Sequence, residues 1–186
     1  MAPVAILGGT FDPVHNTHLD MGRAALAALA PARVLWIPTG NPAYRAAPAA
    51  PAAHRLAMLR IALAGEPRYA IDERELAPGA SGYTVDTLAA LRAEFGPQVP
   101  LVLLMGADQY AAIHTWHRWR ELAGLARIAV FARPGTPPPA GVDVIPMAPS
   151  EISASDIRAR IAAGRDVSAL LPLAVLEYIR DNHLYR

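Results

Sequence analysis

Residues 1–19 read MAPVAILGGTFDPVHNTHL, and this stretch indicates the fold. The apolar run at 4–7 is too short for a buried helix and is typical of a strand covered on both faces, as in a parallel sheet. Gly8 and Gly9 follow where the chain is expected to turn, and their missing β-carbons would let phosphates approach the backbone. The order predicts a strand, a phosphate loop and a helix that begins near Asn16.

His15 and His18 stand three residues apart, which places both imidazoles on one face of the first helical turn. The start of that helix presents free N–H groups and the positive end of its dipole to the place where the two imidazoles lie. A capping histidine and a core histidine are the alternative roles for this pair. Because the residues between them are polar and a strand's carboxyl end precedes them, the pattern favours a site for anionic oxygens.

The composition indicates one globular domain that spans residues 1–186. Hydrophobic residues make up 53% of the chain and charged residues 18%, which is unlike a disordered protein. The formal net charge of +1 carries no general signature of nucleic-acid binding. All 17 basic residues are arginine, so any phosphate clamp must use the planar, bidentate guanidinium.

The chain contains no cysteine, which excludes disulfides, thiolate zinc sites and a cysteine nucleophile. Its N-terminus has no basic region before the apolar run, so we expect no signal peptide. No apolar stretch is long enough to span a bilayer, so we expect no membrane partner. The expected location is the cytoplasm.

Strands and helices alternate along the chain, which predicts an α/β, Rossmann-like layered fold with a mostly parallel sheet flanked by helices. Gly106 and Asp108 follow the strongest strand signal at its carboxyl end, which is where parallel sheets bind ligands. Further strands are expected at 33–38, 69–72, 100–105, 126–132 and 142–146. Helices are expected at 17–30, 52–64, 84–95, around Trp116 and Trp119, at 154–163 and at 172–182.

Residues 152–158 read ISASDIR, a second candidate site for anionic groups. Ser153 or Ser155 is suited to cap the following helix, which is the usual role of serine in this place. The same helix start, with its two hydroxyls, its free N–H groups and Arg158 one turn further, also suits a pyrophosphate.

His114 and His117 form another pair at helical spacing, but no carboxylate stands at a matching position for a zinc site. We interpret them, together with His54 and His183, as surface or packing residues. No metal site built from protein side chains is predicted.

Residues 15–18, HNTH, resemble the T/HxGH signature of the nucleotidyltransferase superfamily, in which two histidines bind the triphosphate of ATP or CTP. Thr17 stands where that signature usually has glycine. ISASDIR is similar to the superfamily's ISSTxIR element. Within the superfamily the chain resembles the bacterial nicotinate-nucleotide adenylyltransferases over nearly its whole length, through GGTFDPVH, RLAMLRIAL (55–63), GYTVDTL (82–88), GADQY (106–110), WHRWREL (116–122) and FARPG (131–135).

The resemblance implies an enzyme that transfers the adenylyl group of ATP to nicotinate mononucleotide, with Mg²⁺ carried by the nucleotide. His18 would act on the α-phosphate and the transition state, and His15 on the β- and γ-phosphates. Asp108 would hold the adenosine ribose or support the metal, with helix capping as its alternative. The other implied nucleotide contacts are Gly8, Gly9, Thr10, Phe11, Gly106, Ser153, Ser155 and Arg158, the last three at the pyrophosphate end.

For the acceptor, the resemblance implies that Trp116 stacks on the pyridine ring, a role that suits an electron-rich indole. Tyr83 and Thr84 would approach the nicotinate carboxylate, and Arg45 and Arg133 are the expected basic groups. The alternatives are that Trp116 packs in the core and that Thr84 caps the next helix.

Three other functions stay open from the sequence. A pantetheine-phosphate adenylyltransferase or a cytidylyltransferase is disfavoured by the Trp116 segment, since those acceptors have no pyridine ring. A nucleotide sensor without catalysis is disfavoured by the intact His15, His18 and Arg158. An NAD-dependent dehydrogenase is disfavoured because GGTFDP lacks the dinucleotide fingerprint. ATP and nicotinate mononucleotide are the predicted partners, and the oligomeric state stays open, a homo-oligomer included.

Overall fold

Six strands form the centre of the computed structural model, which describes residues 1–40, 46–132, 141–148 and 150–186. In chain order they are β1 (Val4–Gly9), β2 (Arg33–Pro38), β3 (Tyr69–Ile71), β4 (Leu101–Gly106), β5 (Arg127–Ala132) and β6 (Asp143–Pro146). Their order in the sheet is β3-β2-β1-β4-β5-β6, and within these described residues every pair of neighbouring strands is parallel. The predicted α/β fold with a parallel sheet is confirmed.

The helices of the described residues are α1 (Asn16–Leu29), α2 (Ala52–Leu63), α3 (Thr84–Phe95), α4 (Ala107–Ala111), α5 (Trp119–Leu125), α6 (Ala154–Ala162) and α7 (Leu173–Asp181). Short 3₁₀ turns lie at Arg74–Leu76 and Ile113–Thr115. The helices expected at 17–30, 52–64, 84–95, 154–163 and 172–182 are present, with no end more than one residue away from its expected place. Among the described residues, no helix combines the length and the apolar character that a membrane span needs.

Two predictions about local structure are wrong. β1 continues through Gly8 and Gly9, which pair with Ile37 and Pro38 of β2, so the chain turns only after the glycines. Trp116 is not helical, because its backbone is extended (φ −76°, ψ 147°) between the 3₁₀ turn and α5. In the first case pairing with a neighbouring strand outweighs the local tendency of glycine to break a strand.

Both faces of the sheet are covered, because alternate residues of each central strand enter different cores. Ala5 and Leu7 of β1 pack on one face with apolar side chains of α1, α2, α6 and α7. Val4 and Ile6 pack on the opposite face with side chains of α3 and α5. The continuous apolar run of β1 is therefore the expected pattern for a strand buried on both faces.

In the sheet, β2 lies on one side of β1 and β4 lies on the other side. β1 pairs with both of these strands, so the direction of winding changes at β1 and β4. In an open parallel sheet such a change leaves a crevice at the carboxyl ends of the strands, where ligands bind. The fold therefore places the residues that follow β1 beside the crevice.

Candidate active site

A cleft of about 540 Å³ opens at the carboxyl ends of the central strands. Gly8, Gly9 and Thr39 form its wall on the β1–β2 side, and we call this space the central cleft. Tyr83 and Trp116, to which the family resemblance gives a role in acceptor binding, lie on its other side. The remaining lining residues are Ile6, Ile37, Glu75, Gly82, Thr84, Thr87, Leu88, Leu103, Leu104, Gln109, Thr115 and His117.

The two glycines of β1 serve the cleft in different ways. A β-carbon on Gly8 would meet only the Ile37 carbonyl oxygen, at 4.0 Å, so the absent side chain leaves open space for a ligand. A β-carbon on Gly9 would lie 3.0 Å from the ring of Phe11, so this glycine makes room for that ring. The backbone that we predicted to be open to phosphates is therefore part of a strand rather than of a turn.

Phe11 lies in the turn after β1 with a left-handed backbone (φ 49°). Its ring is buried, with an edge-on contact to His18 at 5.0 Å and a tilted contact to Trp36 at 5.6 Å between ring centroids. The side chain thus belongs to the core, and Phe11 is not among the residues that line the central cleft.

The predicted histidine pair meets at the start of α1. The ring centroids of His15 and His18 are 3.8 Å apart, and the main-chain N–H of His15 donates to Nδ1 of His18 at 3.2 Å. Since Nδ1 of His18 accepts this bond, the ring proton must reside on Nε2, where it is a donor for a ligand. His15 is buried, and its Nδ1 has no hydrogen-bond partner within the described chain.

Burial determines the charge of the two imidazoles. Desolvation lowers the pKa of His15 to about 4. Desolvation, and then the neighbouring charge of His15, lower the pKa of His18 to about 3. Both rings are therefore neutral at pH 7 in the free protein, and a nearby anion would raise both pKa values.

The start of α6 is brought against the turn that carries the histidines. Nη1 of Arg158 donates to the main-chain oxygen of Asp12 at 2.8 Å. The hydroxyl of Thr17 is hydrogen-bonded to that of Ser150. These two contacts join segments that are more than 130 residues apart in the sequence, and they place two candidate phosphate sites side by side.

Ser153 takes the capping role that the sequence left open. Its hydroxyl accepts from the N–H of Asp156 at 3.2 Å and lies 3.1 Å from the hydroxyl of Ser155. Ser155 is exposed and the Arg158 side chain is 32% exposed, so both residues are accessible from solvent. A cap at Ser153 and a phosphate site at Ser155 and Arg158 are compatible.

Asp12 is a buried carboxylate that the sequence analysis missed. It accepts hydrogen bonds from the N–H groups of Ala49 (2.6 Å) and Ala50 (3.1 Å) and from the hydroxyl of Tyr185 (2.7 Å). No local sequence signal reveals this role, because its partners come from residues 37 and 173 positions further along the chain. Asp12 anchors the turn between β1 and α1.

Arg55 on α2 is a second group that was missed, and it is only 1% exposed. Its guanidinium donates to the carbonyl oxygens of Thr10 (2.7 Å), Thr39 (2.8 Å) and Ala50 (3.2 Å). Arg55 therefore ties the chain after β1 to the chain after β2. The signal was available, since Arg55 and Met58 lie on one buried helix face in RLAMLRIAL.

The opposite side of the cleft is formed by the start of α3 and the residues after the 3₁₀ turn. The Tyr83 ring stacks on His117, with 4.2 Å between centroids, and the exposed His117, which we interpreted as a surface or packing residue, also lines the cleft. Arg118 (φ 51°) pairs with Asp86 of α3 at 3.2 Å. Trp116 also lines the cleft and packs against the core cluster that contains Val85 and Leu88 of α3.

Other predicted residues lie further from the cleft. Asp108 is exposed in the first turn of α4, and the side chain from that turn that lines the cleft is Gln109. Gln109 also accepts the N–H of Gly106 at 3.1 Å. Arg45 and Arg133 lie outside the residues that the structure describes. Within the described ranges, no group of three or more histidine, aspartate or glutamate side chains could hold a metal ion.

The same assignment emerges from comparison with known proteins. A family model described as cytidylyltransferase-like matches residues 6–160. The probable nicotinate-nucleotide adenylyltransferase of Laribacter hongkongensis is 46% identical over 207 residues, which cover 98% of this chain and 94% of the relative. That of Bordetella petrii is 42% identical over 199 residues and is covered, like this chain, over 100% of its length.

Solved structures share the fold. Nicotinic acid mononucleotide adenylyltransferase of Plasmodium falciparum, complexed with NaAD, superposes with a TM-score of 0.83 at 16% identity, over 100% of this chain and 98% of that one. The same protein complexed with APC has a TM-score of 0.80 at 16% identity, with the same coverage. From the family model and the relatives, the chain belongs to the cytidylyltransferase-like family and, within it, to the nicotinate-nucleotide adenylyltransferases.

Proposed function

We propose that this chain transfers the adenylyl group of ATP to nicotinate mononucleotide and releases pyrophosphate. One observation carries the proposal. The bare backbone of Gly8 and Gly9 lines a cleft whose far side holds Trp116 and Thr84, and the turn that follows these glycines leads to the histidine pair at the start of α1. A triphosphate and a pyridine nucleotide can thus meet end to end across β1.

The reaction needs no protein nucleophile. A phosphate oxygen of nicotinate mononucleotide attacks the α-phosphorus of ATP, the new P–O bond forms, and the bond to the β-phosphate breaks. The attacking phosphate is already largely ionised at neutral pH, because its second pKa is about 6. Catalysis therefore depends on in-line positioning and on stabilisation of the charge that develops on pyrophosphate.

His18 is the group best placed to stabilise the α-phosphate in the transition state. Its Nδ1 is occupied by the His15 main chain, so Nε2–H is the donor. His15 serves the β- and γ-phosphates, with Arg158, Ser153 and Ser155 at the pyrophosphate end. Both rings are neutral in the free protein, and a bound phosphate would raise the pKa values of both.

The acceptor's pyridinium ring stacks on Trp116, where a cationic ring and an indole face attract each other. Its carboxylate meets the start of α3, where the positive end of the helix dipole favours a negative charge. Thr84 is the first residue of that helix and lines the cleft. Arg45 and Arg133 remain proposed contacts of the same nucleotide.

Mg²⁺ enters as part of the Mg-ATP substrate in this proposal. Such an ion is held by phosphate oxygens, water and one or two carboxylates, and it needs no preformed cage of side chains. Asp108 is the carboxylate that we propose near the ribose or the metal. Since ATP is made and used in the cytoplasm, we propose that the reaction occurs there.

Pyrophosphate release with Mg-ATP tests the function. Nicotinate mononucleotide, nicotinamide mononucleotide and phosphopantetheine are compared in parallel as acceptors. We expect the highest kcat/KM with nicotinate mononucleotide, because the start of α3 favours a negative charge on the ring substituent. Activity with phosphopantetheine alone, or ATP binding without pyrophosphate release, would overturn the proposal.

A further inference from the structure

We infer that Tyr185 is a positioning residue for ATP, because its hydroxyl occupies Asp12 and so keeps Arg158 available to the nucleotide. The inference rests on the proposed function, in which Arg158 contacts the pyrophosphate end of ATP. It concerns the segment after α7, which has no part in the mechanism above.

The segment after α7 turns back toward the site. Leu184 N–H donates to the Ile179 carbonyl oxygen at 3.0 Å, and the backbone of Tyr185 is left-handed (φ 63°). This geometry places the Tyr185 hydroxyl 2.7 Å from Oδ1 of Asp12, across 173 residues of sequence. Burial, and secondarily the bond to Asp12, raise the pKa of Tyr185 above its usual range, so the hydroxyl stays a donor.

Asp12 is close to two cationic side chains, Arg55 and Arg158, but its carboxylate accepts hydrogen bonds from uncharged donors. Oδ1 receives the Tyr185 hydroxyl and the Ala50 N–H, and Oδ2 receives the Ala49 N–H. The Arg158 guanidinium is 4.0 Å from Oδ2 and bonds the Asp12 main-chain oxygen instead. Arg158 is therefore beside the carboxylate without being fully paired to it.

Removal of the Tyr185 hydroxyl would leave a buried carboxylate short of a donor, which is unfavourable. Arg55 is less free to supply the missing bond, because its guanidinium is buried and already donates to four main-chain oxygens, those of Thr10, Thr39, Gly40 and Ala50. Arg158 can move, since it is held at one main-chain oxygen and is 32% exposed. A charge-assisted pair with Asp12 would then compete with the phosphates for the same N–H groups.

The test measures Mg-ATP binding by calorimetry for the full chain and for Tyr185→Phe. We expect the dissociation constant to rise about fivefold, the equivalent of one ordinary hydrogen bond. The KM for nicotinate mononucleotide should change by less than about twofold. Tyr178→Phe is the matched control, because it removes a hydroxyl bonded to His54 rather than to the site, and it should leave ATP binding unchanged.

A double-mutant cycle separates positioning from general stability. In an Arg158→Ala background, Tyr185→Phe should weaken ATP binding no further, because the competing guanidinium is gone. In an Asp12→Asn background no carboxylate charge attracts Arg158. There Tyr185→Phe should also leave ATP binding unchanged, even if it lowers the melting temperature. An equal loss of ATP affinity in all backgrounds, or equal increases in KM for both substrates, would overturn the inference.

The two proposals fail in different ways. If Mg-ATP binding follows the cycle but no dinucleotide forms, the proposed function fails and the positioning role stands. If the wild-type chain forms the dinucleotide and Tyr185→Phe binds ATP normally, the positioning role fails alone.

Discussion

The role that we propose for His18 depends on two neighbours that hold its ring. The His15 main chain bonds Nδ1, and the buried Phe11 ring contacts the imidazole edge-on. Together they fix both the orientation of the ring and the position of its proton. A side chain held in this way stabilises developing charge without having to reorganise during the reaction.

His18→Ala should lower kcat on the order of 10²-fold, as the loss of one charge-stabilising donor commonly does, while the fold is retained. Steady-state kinetics and circular dichroism measure the two effects. His114→Ala is the control, because this exposed histidine lies in the 3₁₀ turn outside the cleft lining and should leave kcat unchanged. Near-normal turnover in His18→Ala would remove His18 from the mechanism.

The lowered pKa values of His15 and His18 predict sensitivity to acid. In the unfolded chain both titrate near 6.5, but in the folded chain only at about 4 and about 3. Below pH 6.5 the unfolded chain binds protons first, so the free energy of unfolding falls as the pH falls toward 4. Between pH 6.5 and 5 the loss is about 1–2 kcal/mol per histidine.

Urea denaturation across this pH range measures the effect. The double variant His15→Gln/His18→Gln should lose less stability on acidification than the wild-type chain, because glutamine does not titrate. An identical pH dependence in both chains would show that the buried imidazoles are not the cause.

Among the elements, α1 is held close to the sheet by Gly22. A β-carbon at this position would lie 2.6 Å from Cζ2 of Trp36 and 2.6 Å from the hydroxyl oxygen of Tyr69. α1 carries the histidine pair at its start, so the depth at which it packs also determines where the histidines stand. An otherwise unfavourable glycine in mid-helix is explained by this contact.

Gly22→Ala should therefore destabilise the protein by about 1–3 kcal/mol, despite the better helix propensity of alanine. Gly124→Ala is the matched control in α5, where a β-carbon would meet nothing within 4 Å. We expect that change to stabilise by about 0.5–1 kcal/mol. Equal effects of the two substitutions on the urea midpoint would contradict the packing explanation.

The ends of the elements show which local signals are reliable. α3 begins at Thr84 and ends before Gly96 (φ 77°), as the sequence indicates, because these boundaries depend on nearby backbone conformation. The end of β1 was misplaced by two residues, because Gly8 and Gly9 are held in the strand by partners on β2. The tendency of glycine to end a strand is outweighed by the complete set of hydrogen bonds to the neighbouring strand.

Across the whole molecule, the candidate site exists because the start of α1 and the segment before α6 meet. Thr17, which replaces the glycine of the related signature, contributes directly through its hydroxyl bond to Ser150. Ser150 in turn accepts the N–H of Ile152, two residues before α6. We therefore assign Thr17 a role in joining the two candidate phosphate sites.

Thr17→Val keeps the side-chain shape and removes this bond, so the KM for ATP should rise about two- to fivefold with little change in kcat. Ser150→Ala should have a similar effect, and the double variant should be no worse than either single variant. Additive effects of the two substitutions on the KM for ATP would show that the two hydroxyls act independently.

The sequence by itself determined the alternation of strands and helices, the burial of β1 on both faces, and the position of His15 and His18 at a helix start. These features follow from hydrophobic period and backbone sterics over a few residues. Only the tertiary structure decided that residues 10–18 meet residues 150–158, and that Asp12, Arg55 and Tyr185 support them. It also decided that the pKa values of the two histidines are lowered, because desolvation depends on which distant segments pack together.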